Sequence, residues 1–285
     1  MRSSTLEAPF HGIRVLASAP SHVSENERVR HLAEAYSPRM RDSDFYSHES
    51  AARFHDAPLP PHADASLHVT TVRPHRAAQA KGVVPHSIDE RAASTMTLDG
   101  MRIATPALTW AMLGESFDVA WLVAVGDFFC RVWRFAGYYR PNAGQKPLAT
   151  PDNLASALNA IRWRGIAKLR AALPLIRLDS WSPMESLTRV HLVTSGLPEP
   201  DLNRDAYDRF GVHLGCLDMS YPELKIAVEY QGQLHGRQYA RDIERVERLR
   251  AEGWIVIQVT SELLKDRTAL VRRVRDALVS RGWSA

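Results

Sequence analysis

Cysteine is scarce in this chain: its 285 residues hold Cys130 and Cys216 alone. Both sit in apolar stretches, so they read as reduced, buried thiols, as in a reducing cytosol, and they exclude a disulfide-stapled scaffold. Long apolar runs are missing too. The most apolar, from Val119 to Val125, is bounded by Asp118 and Asp127, far short of the roughly 20 residues that a bilayer needs. The segment from Met1 to Pro9 is polar and lacks the apolar core of a secretory signal. A soluble, cytoplasmic protein without membrane contact is expected. No glycine-rich phosphate loop appears, because Gly232-x-x-x-Gly236 lacks the Lys-Ser/Thr of a Walker pattern. No nucleophile elbow marks a Ser-His-Asp hydrolase, and there is no internal repeat. Lysine is rare as well, with arginine making up most of the 36 basic residues. The planar fork of arginine suits bidentate phosphate contact. A net charge of +4 and a pI of 9.2 permit nucleic-acid binding without requiring it.

What remains is enough for about two domains of ordinary size, with 45% apolar residues to fill their cores. Pro174, Asp179 and Pro183 punctuate the chain between Leu173 and Trp181, which places a boundary there and gives domains of residues 1–178 and 179–285. In the first, Phe10 to Val15 reads as a short strand or wing, and Ser24 with Glu27 as a capping box opening a helix to about Tyr36. A helix follows Ser47. Leu67–Val72 and Val83–Ile88 read as strands. Thr105-Pro106 and Thr150-Pro151 each set a capping residue before a proline at the first helical position. Arg162, Arg164, Lys168 and Arg170 form the most basic cluster. His48, His55, His62, His68, His75 and His86 are irregularly spaced and read as surface residues.

The second domain carries the chemistry. From Gly215 to Gly236 the chain reads as strand, turn, strand: Leu217-Asp218-Met219, a Tyr221-Pro222-Glu223 turn, then the β-branched run Lys225 to Tyr230. Hairpin pairing would bring Asp218 and Glu229 to one end of a sheet. Two carboxylates held together repel unless a proton or cation lies between them. With oxygen ligands alone, the natural cation is Mg²⁺ or Mn²⁺. The plainer reading makes Asp218 a turn residue and Glu229 a solvent-facing one. Arg237 to Ala251 has helical spacing, with Ile243, Val246 and Leu249 on one stripe. Gly253 ends that helix, Trp254 to Val259 is an apolar strand, and a last helix opens at Ser261 with Leu270, Val274 and Leu278 every four residues. His213 and Cys216 are spaced like half a zinc site that nothing completes.

The ordered set of Glu185 on a helix, Asp218, Glu229-Tyr230-Gln231-Gly232, His235, the arginine-rich helix and Gly253-Trp254 to Val259 resembles the PD-(D/E)XK nuclease superfamily. Within it, Trp181 to Trp283 is most similar to the very-short-patch-repair-like endonuclease domains common in actinobacteria. The resemblance implies an α/β fold, a restriction-endonuclease-like α/β sandwich with a mixed sheet, beside an α+β amino-terminal domain. It implies Asp218 as the central metal ligand, Glu229 as the second and Glu185 as the helix glutamate completing the shell. The bound Mg²⁺ or Mn²⁺ would activate a water and neutralise charge on a scissile DNA phosphate. Gln231 stands where lysine is usual; glutamine orients a water but cannot act as a base. His235 becomes a proton shuttle or phosphate contact, against the alternative of a loop histidine bonded to backbone. Arg241 or Arg245 would meet a DNA phosphate, the helix's other charges forming weak surface pairs. The amino-terminal order resembles abortive-infection-type antitoxins entered at the wing, without the preceding recognition helices. That implies a regulatory or DNA-positioning role and a toxin or defence-system partner. The expectation is a Mg²⁺-dependent DNA endonuclease of repair, restriction or phage defence, a homodimer if it cuts both strands. The alternative is a non-catalytic nucleic-acid-binding or antitoxin-like regulator.

Overall fold

Local signals account for most element boundaries in the computed structural model, which describes residues 6–10, 13–16, 24–133, 142–232 and 237–284. The chain divides into two units, one of residues 1–129 and 148–174, the other of 130–147 and 175–285. The first opens on a hairpin of β1 (Leu6–Phe10) and β2 (Ile13–Leu16). Ser24 accepts from the Glu27 amide while the Glu27 side chain answers the Ser24 amide, a complete capping box that starts α1 (Glu25–Tyr36). β3 (Asp44–Tyr46) runs directly into α2 (His48–Phe54). β4 (Leu67–Val72) and β5 (Val83–Ile88) pair in parallel, and β6 (Thr95–Leu98) pairs antiparallel with β7 (Met101–Ala104). Thr105 caps α3 (Pro106–Met112) with proline first in the helix. The apolar α4 (Val119–Cys130) follows. Thr150 caps α5 (Pro151–Ala160) in the same way, and α6 (Ile166–Ala172) closes the unit. The sheet order β5-β4-β3-β7-β6 mixes parallel and antiparallel pairs. Val29, Phe54, Leu67, Val69 and Ile103 form its core, and Tyr46 Oη donates to Ala33 O at 2.6 Å to tie helix to sheet.

The histidines depart from the surface reading. His62 and His75 are exposed, but His55 and His68 are buried and His48 and His86 half-buried. Irregular spacing hides this because the strands that gather these residues are far apart in sequence.

The second unit is a four-stranded mixed sheet wrapped by helices: α7 (Pro183–Val193), β8 (Asp201–Tyr207), β9 (His213–Tyr221), β10 (Ile226–Tyr230), α8 (Arg237–Ala251), β11 (Ile255–Val259), α9 (Ser261–Lys265) and α10 (Arg267–Ser280). The order is β11-β10-β9-β8, with β10 and β11 parallel across the α8 connection. The whole chain is thus α/β with two mixed sheets. The structure adds β8 to the sequence reading and corrects it at Ile243 and at the last helix. β8 was not legible, because DLNRDAY is polar and pairs only along the edge of β9. Ile243 leaves the apolar stripe and is 46% exposed, while Val246 and Leu249 are buried. The last helix is two, because the Asp266 side chain accepts from Ala269 N and starts α10 afresh. Leu270, Val274 and Leu278 are buried as expected. Among the described residues there is no disulfide; Cys130 is buried and Cys216 half-buried. Among the described residues, no helix is long and apolar enough to cross a membrane.

Leu249 holds α8 to the sheet through Leu214, Leu217, Ala227 and the partly buried Trp254. Leu249→Ala is expected to cost about 2–5 kcal/mol through lost burial and the cavity it leaves, read as a lower urea midpoint at unchanged slope.

Candidate functional site

β9 and β10 pair with Ile226 opposite Tyr221, Ala227 opposite Ser220 and Val228 opposite Met219. One step further along that register, Glu229 stands across from Asp218, and opposite residues of antiparallel strands share a face. The Tyr230 amide donates to Asp218 Oδ2 at 2.9 Å and holds the carboxylate at the hairpin's end. Glu185 comes from α7, whose first turn is shaped by Ser182 accepting from Glu185 N and by Pro183 at the first position. A carboxylate there is favoured by the helix's positive end. Glu185 Oε2 accepts from Trp181 N at 3.0 Å and from Asn203 Nδ2 at 2.8 Å. Asn203 also donates to Asp179 O at 2.7 Å, and its φ of 48° is a conformation that asparagine tolerates.

Asp218 bears the cost of this crowding. Burial, then Glu185, then Glu229 push its carboxyl up to about 8, against the opposing pull of the Tyr230 amide and Arg245. Glu229, only 2% exposed, has a cation of its own. Arg245 Nη1 and Nη2 donate to its two oxygens at 2.7 Å each, the fork-to-carboxylate pairing that makes the strongest such contacts. Nη2 also reaches Asp242 Oδ1 at 2.7 Å, and Gln231 Nε2 donates to Asp242 Oδ2 at 3.1 Å. Gly215 gives the arginine room. Its φ is +146°, and a Cβ there would lie 2.8 Å from Arg245 Cδ.

The chain is distantly similar to two mycobacterial proteins. Uncharacterized protein Rv2248 of Mycobacterium tuberculosis strain H37Rv and uncharacterized protein MT2308 of strain CDC 1551 are each 29% identical to it over 99 residues. The match covers 34% of this chain and 36% of each relative, so the chain spans about a third of the length of the curated relatives it matches. No family model matches, and no solved structure does.

Asp218, Glu229 and Glu185 lie near one end of the second unit's sheet, close enough for both glutamates to raise the Asp218 carboxyl. Gln231 turns toward Asp242, and Arg245 lies inside the site, on Glu229 and Asp242. Arg241 falls on α8 with its side chain outside the described residues, as is His235 altogether. Asn203, Asp242 and the Trp181 amide are site components that the sequence did not suggest; the three-residue spacing of Asp242 and Arg245 was the one available signal. The donors are hard oxygens, the kind that magnesium takes, and Arg245 stands in for a cation at Glu229. The three carboxylates do not converge as a closed cage, since their ligand oxygens do not all lie within 4.8 Å of one another. A magnesium ion that keeps several waters does not need them to.

Proposed function

We propose that the second unit is a metal-dependent nuclease of the PD-(D/E)XK kind, hydrolysing DNA phosphodiester bonds. The observation that carries this reading is the carboxylate trio: Asp218 across the hairpin from Glu229, with Glu185 at a helix start, and Asp218 destabilised as an anion by both neighbours. These three would hold Mg²⁺ or Mn²⁺, which supplies Lewis acidity toward the scissile phosphate and its attacking water. The Tyr230 amide aims Asp218, and the Trp181 amide with Asn203 aims Glu185. Gln231 is placed to orient a water by hydrogen bonding without taking its proton. Arg245 holds Glu229 in position through both of its guanidinium Nη atoms. DNA is the partner, and cutting both strands would call for two copies. The restriction-endonuclease-like form of the fold, the antitoxin-like first unit and a setting in repair, restriction or phage defence belong to this same reading.

Two observations favour the second reading, a non-catalytic nucleic-acid-binding or antitoxin-like regulator. An arginine already neutralises Glu229, and a glutamine replaces the usual lysine. The experiment is cleavage of supercoiled plasmid and of short single- and double-stranded DNA in Mg²⁺, Mn²⁺ or EDTA. Cutting that needs the metal is the expected result. No cutting by a folded protein on any of these substrates moves the assignment to the regulator. Gln231→Lys is expected to raise the rate if the site lacks only its base.

A further inference from the structure

Three histidines that the proposed nuclease does not use converge in the first unit. His68 on β4 and His86 on β5 share a sheet face, because the parallel register sets Thr70 beside His86 and His68 beside Val84. His48 joins them at the start of α2, where the Ser47 amide donates to His68 O at 3.1 Å. One ring nitrogen of each lies within 4.8 Å of the others. We infer that His48, His68 and His86 form a three-imidazole site for a divalent transition metal of the zinc class.

His68 Nδ1 and His86 Nε2 are 3.0 Å apart. Two donors on one tetrahedral zinc, with bonds of about 2.0–2.1 Å, stand about 3.3 Å apart, so a small opening of the pair admits the ion. The outer nitrogens are already engaged in the way that ligand histidines require. His68 Nε2 faces Asp64 Oδ2 at 3.3 Å and His48 Nδ1 faces Ser47 Oγ at 2.9 Å, contacts that orient each ring; in the tautomer with the proton on that nitrogen, the other nitrogen is free to ligate. His48 and His86 stack with centroids 3.7 Å apart, a contact suited to two neutral rings, and one ring must turn out of the stack to bring both in-plane lone pairs onto one ion. Burial, with the neighbouring histidines, holds His48 well below the usual imidazole range, and burial, His68 and Arg164 bring His86 down to about 4.

A second observation points to a cation independently. Glu49 is 2% exposed, and its Oε2 is buried without a hydrogen-bond partner, 3.6 Å from His68 Nδ1. A buried carboxylate oxygen with no donor is costly, and a metal ion on His68 supplies the missing charge at that spot. His48 and His86 also line a pocket of about 470 Å³ with Arg73, Arg162, Trp163 and Arg164, so the two rings border open space, and an ion there would carry an anion or hydroxide opposite the three arginines. Imidazole donors select zinc-class ions over magnesium, so this site and the carboxylate site would not compete for one metal.

The test uses the full chain, stripped with chelator and dialysed against Zn²⁺ or Co²⁺ in excess Mg²⁺. Retained metal is counted by mass spectrometry, and cobalt geometry is read from its visible spectrum. One zinc per chain and the intense bands of four-coordinate cobalt are expected, unchanged in Asp218→Asn. His86→Gln keeps a hydrogen-bonding side chain, and His48→Asn suits the positive φ of 49° at that position. Each is expected to weaken zinc binding by more than the 10–100-fold that loss of even an outer partner costs. No zinc retained by the folded wild type, only the faint bands of octahedral cobalt, or undiminished affinity in either folded variant overturns the site.

Discussion

Asp218→Asn is expected to reduce metal-dependent DNA cleavage to background while making the metal-free protein more stable near pH 8. The two effects share a cause. In the unfolded chain the Asp218 carboxyl titrates near 3.9; in the fold, burial, Glu185 and Glu229 push it up to about 8. Between those values the folded state holds a proton that the unfolded chain has released, so this residue's contribution falls as pH rises across the window. Its favourable part is complete below about 4 and lost above about 8. Asparagine carries neither proton nor charge, and its carbonyl still accepts from the Tyr230 amide. Melting curves in EDTA from pH 4 to 8 should therefore fall more steeply for wild type than for the variant, the difference between them isolating Asp218. Adding Mg²⁺ at pH 8 should raise the wild-type midpoint and leave the variant's unmoved. Cleavage retained by the folded variant would remove Asp218 from the ligand set, and parallel melting curves would show that the carboxylates do not crowd it.

Arg245→Met carries the other large expected effect. Methionine fills much of the arginine's space but leaves Glu229 buried without its guanidinium. Removing one partner of a buried pair costs about 3–5 kcal/mol because a charge is stranded; Arg245 is partly exposed, with 23% of its side chain open, which sets the expectation at the low end. Urea unfolding in EDTA measures it. Arg245→Lys should recover only part of the loss, since a point charge cannot reproduce the two-bond fork. Adding Glu229→Gln to Arg245→Met should recover most of it by removing the stranded charge. The metal separates the two functional readings. If Glu229 and Asp218 take a divalent cation, Mg²⁺ should restore much of the midpoint of Arg245→Met. If Arg245 is the permanent counter-ion of a site that has lost its chemistry, Mg²⁺ should change nothing.

Legibility followed the range of the interaction. Ser24 with Glu27, Thr105 before Pro106 and Thr150 before Pro151 announce helix starts because a cap is made within three residues. Leu67–Val72 and Val83–Ile88 are apolar enough to read as strands. β8 was lost because an edge strand needs no apolar run, only a neighbour to pair with. Ile243 falls outside the buried stripe because the stripe on α8 is narrower than its period suggests. The break at Asp266 is hidden in the sequence because the leucine and valine spacing beyond it is unbroken.

By itself the sequence determined the α/β character, the caps, the strands on either side of the Tyr221-Pro222-Glu223 turn and the placing of Asp218 and Glu229 at one end of that pair. All of these follow from neighbours in the chain and the two-residue period of a strand. Only the tertiary structure decided that Arg245 turns inward across Gly215 to Glu229, that Asn203 reaches Glu185, and that His48, His68 and His86 meet. Those contacts depend on strand register and helix docking between segments tens of residues apart, where burial and charge pairing, not local propensity, set the lowest free energy.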